Sequence, residues 1–249
     1  MLFNVLYGKS VVLIPFPFIT MTMLILFIVT MALSGFASLK VRSAYGRYSK
    51  VRASSGLTGA EVAQRILDLN NIRDVSIHAT QGQLTDHYDP THRRLVLSEE
   101  NYYGTSVAAL GVAAHEAGHA IQHHQLYAPL QWRMAAVGIT GIASKVVMWV
   151  PIIGMLGGFI DYKVAITIMA VAMGILMLFQ LITLPVEFDA TARAKKILAG
   201  TGAVAPGAEF QAMSKVLDAA ALTYVAAFIS SLAYFLYYVL RMTAANRDD

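Results

Sequence analysis

The stretch "ALGVAAHEAGHAIQHH", Ala109–His124, sets an H-E-x-x-H pattern inside a run of alanine and glycine. Read as a helix, it places His115 and His119 one above the other, because residues four apart share a face. Two imidazoles so arranged reach one zinc ion at about 2.0–2.1 Å. Glu116 stands one step round the helix, too offset for a third ligand but suited to take the proton of a water on the metal's open side. Ala117 and Gly118 are small enough to let a neighbouring helix or a substrate approach. The bland alternative is a solvated helix with incidental histidines. Against it, Val107, Leu110, Val112 and Ala113 predict burial, and two histidines with a glutamate in a buried helix need partners. His123 and His124 fall at the helix end, where positive charge suits the dipole.

The surrounding chain is a membrane chain by composition. Of 249 residues, 57% are hydrophobic and 14% charged, against about 25% charged in soluble proteins; mean hydropathy is +0.56. There is no cysteine, which excludes disulfides and thiolate sites and leaves histidine and carboxylates as the strong metal ligands. The pI of about 9.2 comes without a long basic stripe, so nucleic acid is not expected. The basic residues cluster beside apolar segments, where topology signals and anionic-lipid contacts lie.

Four segments are apolar enough to span: residues 14–36, 137–160, 164–184 and 220–240, near the roughly 20 residues a bilayer core needs. The first is too long for a signal-peptide core and lacks a basic lead of substance, so it reads as an uncleaved anchor. Lys145, inside the second, can snorkel to the interface. Lys40, Arg42, Arg47, Lys50 and Arg52 follow the first span, against a lone Lys9 before it. The positive-inside rule therefore puts the following segment in the cytoplasm. Counting spans places Asp161 to Lys163 outside and residues 185–219 inside, with Arg193, Lys195 and Lys196 in agreement. Arg241 and Arg247, at the outer end, run mildly against the rule.

The expected organisation is an N-terminal anchor (1–40), a small cytosolic α+β unit (41–134), a transmembrane hairpin (135–184), a cytosolic helix (185–219) and a C-terminal span with its tail (220–249). The fold class is a mainly α integral membrane protein carrying a zincin-like unit with a short sheet. Within that unit Thr58 and Glu61 predict a capping box, and Val62, Ile66 and Leu69 a shared helical face. Residues 75–79 and the segments flanking Asp89-Pro90 predict strands. Thr105 or Ser106 caps the H-E-x-x-H helix.

A third ligand must come from elsewhere. The first span holds no ionisable residue. "LPVEFDATARAKK", from Leu184 to Lys196, opens as the third span leaves the membrane and falls on the same side as His115. It offers Glu187 and Asp189, with Arg193 on the next turn. One of these acids can bind the metal and the other orient a ligand histidine; both can equally be acids at a helix start. Arg193 pairs with Asp189 or acts on an oxyanion. In "TDHYDP", His87 and Tyr88 could pair with an extended substrate by strand addition or stabilise an oxyanion, or they belong to a polar turn. Tyr224 either faces the site or marks the membrane interface.

Together "AAHEAGHAIQ", "DHYDP", "YAPLQWR" and "EFDATARA" resemble the YugP-like neutral zinc metallopeptidases of bacterial membranes, over residues 57–240 and in the order of the spans. The paired motifs are far more specific than H-E-x-x-H alone. The resemblance implies an endopeptidase with one zinc ion per chain, similar in plan to the HtpX-like membrane proteases. It implies His115, His119 and Glu187 as ligands and Glu116 as base. It departs from the HtpX-like pattern in one place: the supporting acid four positions after the ligand glutamate is Thr191 here. Asp189 would then support the site from another angle, or be the ligand itself.

The expected partners are a peptide or protein substrate, membrane proteins included, and the lipid bilayer. The expected location is the bacterial inner membrane, with the site facing the cytoplasm. Two other readings stand beside this one. In a non-catalytic protein, zinc would staple the soluble unit to the spans, although structural sites are usually closed by four protein ligands. An intramembrane protease would need its motif inside the bilayer, yet the apolar run before His115 covers only 107–114, far short of a span. A transporter is disfavoured, because no span carries a carboxylate at its middle.

Overall fold

A computed structural model describes residues 16–83, 85–157 and 160–246. Lys9, Ile14 and Arg247 lie outside the described residues, as do positions 158–159 near the end of the second expected span. In chain order the elements are α1 (Phe16–Tyr48), α2 (Gly59–Leu69), β1 (Ser76–Thr80), β2 (His87–Asp89), β3 (Arg94–Ser98), α3 (Glu99–Tyr102), α4 (Val107–His124), α5 (Ala128–Gly157), α6 (Tyr162–Gly200) and α7 (Ala208–Ala245).

Among the described residues α1, α5, α6 and α7 are long and apolar enough to cross a membrane. Large apolar side chains such as Leu24, Phe27, Ile142, Trp149 and Leu178 stand exposed on them, as lipid-facing positions would, because lipid tails need no shielding from apolar groups. All four helices overrun the apolar segments read from sequence. α1 continues past Phe36 to Tyr48, and α5 begins at Ala128. α6 runs unbroken through Pro185 to Gly200, where a new helix was expected. Proline removes one backbone hydrogen bond and crowds the preceding turn. Packing of α6 against α4, α5 and α7 carries the helix through that point.

The overrun gives the α+β unit its core. Val62, Ile66 and Leu67 of α2, Leu95 and Leu97 of β3, and Leu110 and Ile121 of α4 pack with Leu198 of α6 and Met213 and Leu217 of α7. A separate cluster of Met169, Ala170, Met173 and Tyr238 joins α6 to α7 further along their length. Thr58 and Glu61 form the capping box of α2. Its buried face runs through Val62, Ala63, Ile66 and Leu67, so Leu69, expected on that face, is exposed. The sheet order is β1-β3-β2, with β1 parallel and β2 antiparallel to β3. The Asp89 carboxylate closes the β2–β3 turn by accepting the backbone N–H groups of Thr91 and His92 at 3.0 and 3.1 Å.

Ser106 caps α4, its side chain accepting the Ala109 N–H. α4 lies against both α6 and α7, and two glycines set how closely. A Cβ on Gly111 would meet Met213 Cγ at 3.0 Å; one on Gly118 would meet the Ala190 carbonyl oxygen at 3.0 Å and its Cα at 3.3 Å. The first neighbour is a flexible side chain, the second is helix backbone that cannot step aside. Gly118→Val is therefore expected to destabilise the protein by about 2–3 kcal/mol through overpacking. Gly138→Val, with nothing within 4 Å of its Cβ position, serves as the control. Unfolding of both variants in detergent checks this; equal midpoints would refute the close α4–α6 contact.

Candidate metal centre

The crossing at Gly118 brings one face of α4 over Glu187 of α6. Glu187 Oε2 lies 3.3 Å from His115 Nε2 and 3.6 Å from His119 Nε2. The three ligand atoms are all within 4.8 Å of one another. Glu187 is 2% exposed, and Glu116 and His119 are also buried. A charge so far from water needs a partner. Oε1 has one, accepting the Arg133 Nη1–H of α5 at 2.8 Å. Oε2 is buried with no hydrogen bond among the described residues.

Gln122 decides which way the His119 ring is protonated. Its Nε2 donates at 2.8 Å to two groups that can only accept, the Val186 carbonyl and Asp189 Oδ2. That fixes the amide, so Oε1 is the atom 2.9 Å from His119 Nδ1 and must receive the Nδ1–H. The Nε2 lone pair of a neutral His119 is then turned toward Glu187. His115 is held similarly, with Thr191 Oγ1 at 3.3 Å from its Nδ1. The His119 lone pair and a carboxylate oxygen facing each other repel unless positive charge sits between them. The electrostatics of His119 agree. Burial lowers its pKa, but the neighbouring Glu187 and Glu116 carboxylates outweigh burial and leave it raised, so positive charge is favoured here.

These residues fit a zinc ion. The donor set of two histidine nitrogens and one carboxylate oxygen is a zinc set. Ligand atoms about 2.0–2.1 Å from a tetrahedral ion lie about 3.3 Å apart, close to the two nitrogen–oxygen separations found. The fourth side is open: His115, Glu116 and Glu187 face a cavity of about 320 Å3, also lined by Thr191 and Tyr224. Tyr224 lines the same cavity as Glu187, so it is at this site as well as near the start of the expected fourth span.

The comparisons with known proteins bear on this geometry. A family described as "Putative neutral zinc metallopeptidase" matches residues 23–243. The chain belongs to that family. A curated relative, the "Putative membrane protease YugP" of Bacillus subtilis (strain 168), is 46% identical over 225 residues, covering 88% of this chain and 96% of that protein. No solved structure matches the chain. Zinc is thus implied twice, by the family and by the convergence of His115, His119 and Glu187.

Other residues singled out in the sequence fall into two groups. Asp189 is outside the cluster and touches it through Gln122, while also accepting from Arg193 Nε; Arg193 pairs with Asp189 and reaches Gln125 Oε1 at 2.7 Å. His87 and Tyr88 are not brought to the cavity. The exposed His87 ring lies 2.8 Å from the Thr85 carbonyl, and the Tyr88 hydroxyl is 2.8 Å from His123 Nδ1. Burial first, then the nearby Arg93 and His124, lower the pKa of His123, so it serves less as a helix-end cation than as a partner of Tyr88, whose own pKa burial pushes up to about 12.

Gln122 and Arg133 escaped sequence reading. Gln122 did carry a signal, three residues after His119 on the same helical face; Arg133 had only its place in "YAPLQWR". Loss of an outer partner of a ligand histidine typically costs 10–100-fold in metal affinity. Gln122→Leu is expected to weaken zinc binding by about that factor. Competition with a chromophoric chelator checks this; unchanged affinity would mean that the amide does not orient His119.

Proposed function

We propose that the chain is a membrane-anchored endopeptidase that holds one zinc ion on His115, His119 and Glu187, with Glu116 as general base. The observation that carries this is the meeting of those three ligand atoms beside a cavity that His115, Glu116 and Glu187 line. When bound, zinc supplies Lewis acidity, lowering the pKa of a water toward about 7 and drawing charge from a substrate carbonyl oxygen. Glu116 accepts the water's proton as the water oxygen adds to the carbonyl carbon. The Tyr224 hydroxyl, facing Glu187, donates to the carbonyl oxygen as it gains charge. Glu116 then delivers the proton to the leaving nitrogen, the carbon–nitrogen bond breaks, and a carboxylate and an amine result. Arg133 keeps Glu187 Oε1 occupied, so that Oε2 is the oxygen offered to the metal.

The basic residues after the first span support a cytoplasmic site in a bacterial cell membrane. They also support the division into membrane segments (1–40, 135–184, 220–249) and cytosolic segments (41–134, 185–219). Its substrates are proteins or peptides, membrane proteins and their juxtamembrane tails among them, since Glu187 lies where α6 leaves its apolar stretch. This reading takes the name of the Bacillus subtilis relative as support for proteolysis at a membrane.

Glu116→Gln is expected to keep one zinc per chain by elemental analysis. It should cut an unfolded protein such as casein at least ~100-fold more slowly than the native chain, whose activity a chelator should abolish. Equal rates for the variant and the native protein would refute Glu116 as the base.

A further inference from the structure

The cavity lined by His115, Glu116 and Glu187 continues away from them along α4 and α7 to the C-terminal part of α1. Its volume of about 320 Å3 is at the small end for pockets that enclose a ligand, enough for a large side chain and its backbone. Away from the metal residues the walls are apolar: Val41 of α1, Val112 of α4, and Val216, Leu217, Ala220 and Ala221 of α7. The polar groups that remain are committed. Thr223 Oγ1 donates to the Ala220 carbonyl at 2.7 Å, and the Tyr45 hydroxyl donates to Asn101 Oδ1 at 2.7 Å. Asp86 accepts the Ser98 N–H, the Ser98 hydroxyl and Asn101 Nδ2 at 2.8 to 3.3 Å.

We propose that this cavity is the pocket for a nonpolar side chain, of leucine to phenylalanine size, on a substrate residue next to the scissile bond. The proposal rests on the endopeptidase reading and names its substrate class. Beyond the metal residues, an acidic side chain entering here would meet Asp86, with no lysine or arginine among the described lining residues. A basic one would be desolvated against apolar walls, while the acceptor sites of Asp86 are already taken by neutral donors. A nonpolar one gives up only its contact with water, which favours binding. The α1 and α7 walls belong to helices that are themselves candidate spans, so the pocket lies beside the surface from which apolar sequence arrives.

The test uses the full-length zinc-loaded Glu116→Gln protein in detergent, so that peptides bind without being cut. Blocked hexapeptides that differ only at one central position, carrying Leu, Phe, Ala, Lys or Asp, are titrated by fluorescence anisotropy. Leu and Phe should bind at least about tenfold more tightly than Lys and Asp. Adding Ala220→Leu, which fills the pocket, should remove the advantage of Phe over Ala while zinc content stays at one per chain. Equal binding of all five peptides, tighter binding of Lys or Asp, or no binding at all would overturn the proposal. Should Ala220→Leu fail to fold, the five peptides on the parent protein still decide. The nonpolar preference with no cleavage by the native chain would refute the endopeptidase reading and leave the pocket standing. Cleavage at sites without a nonpolar neighbour would do the reverse.

Discussion

The site depends on a buried carboxylate. Glu187 sits in the middle of a membrane-connected helix at 2% exposure, a place no unpaired charge could occupy cheaply. Arg133 satisfies one oxygen and two imidazoles face the other. That arrangement is possible only because α4 rests directly on the backbone of α6 at Gly118. A side chain there would lift the histidines off the carboxylate and leave the charge stranded. Helix contact and charge compensation are therefore one constraint, and the donor set it creates is one that suits a metal ion.

Gln122 ties this constraint to its surroundings. It is fully buried and spans from the His119 ring to the Val186 carbonyl and Asp189. Because every one of its contacts is a defined donor or acceptor, the amide cannot turn without losing hydrogen bonds in a low-dielectric setting. Arg193 extends the chain through Asp189 to the end of α4. His115 leans instead on Thr191, the residue found where the HtpX-like pattern has an acid. Here the acid acts from two positions earlier, through the neighbouring helix and not through its own.

Much of this was legible from residue spacing. His115, Glu116 and His119 share a helical turn, so their relation is local and survives any tertiary arrangement. Counting spans led to the segment that holds Glu187 and Asp189, because a membrane has two sides and parity restricts which segments can meet. Tyr88 was left between two readings for a physical reason: a strand beside an H-E-x-x-H helix offers its tyrosine either to the site or to the helix end. Here the hydroxyl goes to His123. The expected start of a separate helix at Pro185 is not found, since proline weakens a helix only by an amount that packing on three sides exceeds.

The sequence by itself determined the membrane character, the identity of the histidine pair and its glutamate, the caps of α2 and α4, and the short α+β unit. All of these follow from composition and from periodicities of a few residues. Only the tertiary structure decided that Glu187 and not Asp189 faces the histidines, and that Gln122, Thr191 and Arg133 hold the three groups in place. It also decided that Tyr224 and the apolar wall of α7 enclose the open side. Those relations depend on the angle and closeness at which α4 crosses α6 and α7, and a crossing is set by the summed packing of whole helix faces, which no short stretch of residues encodes.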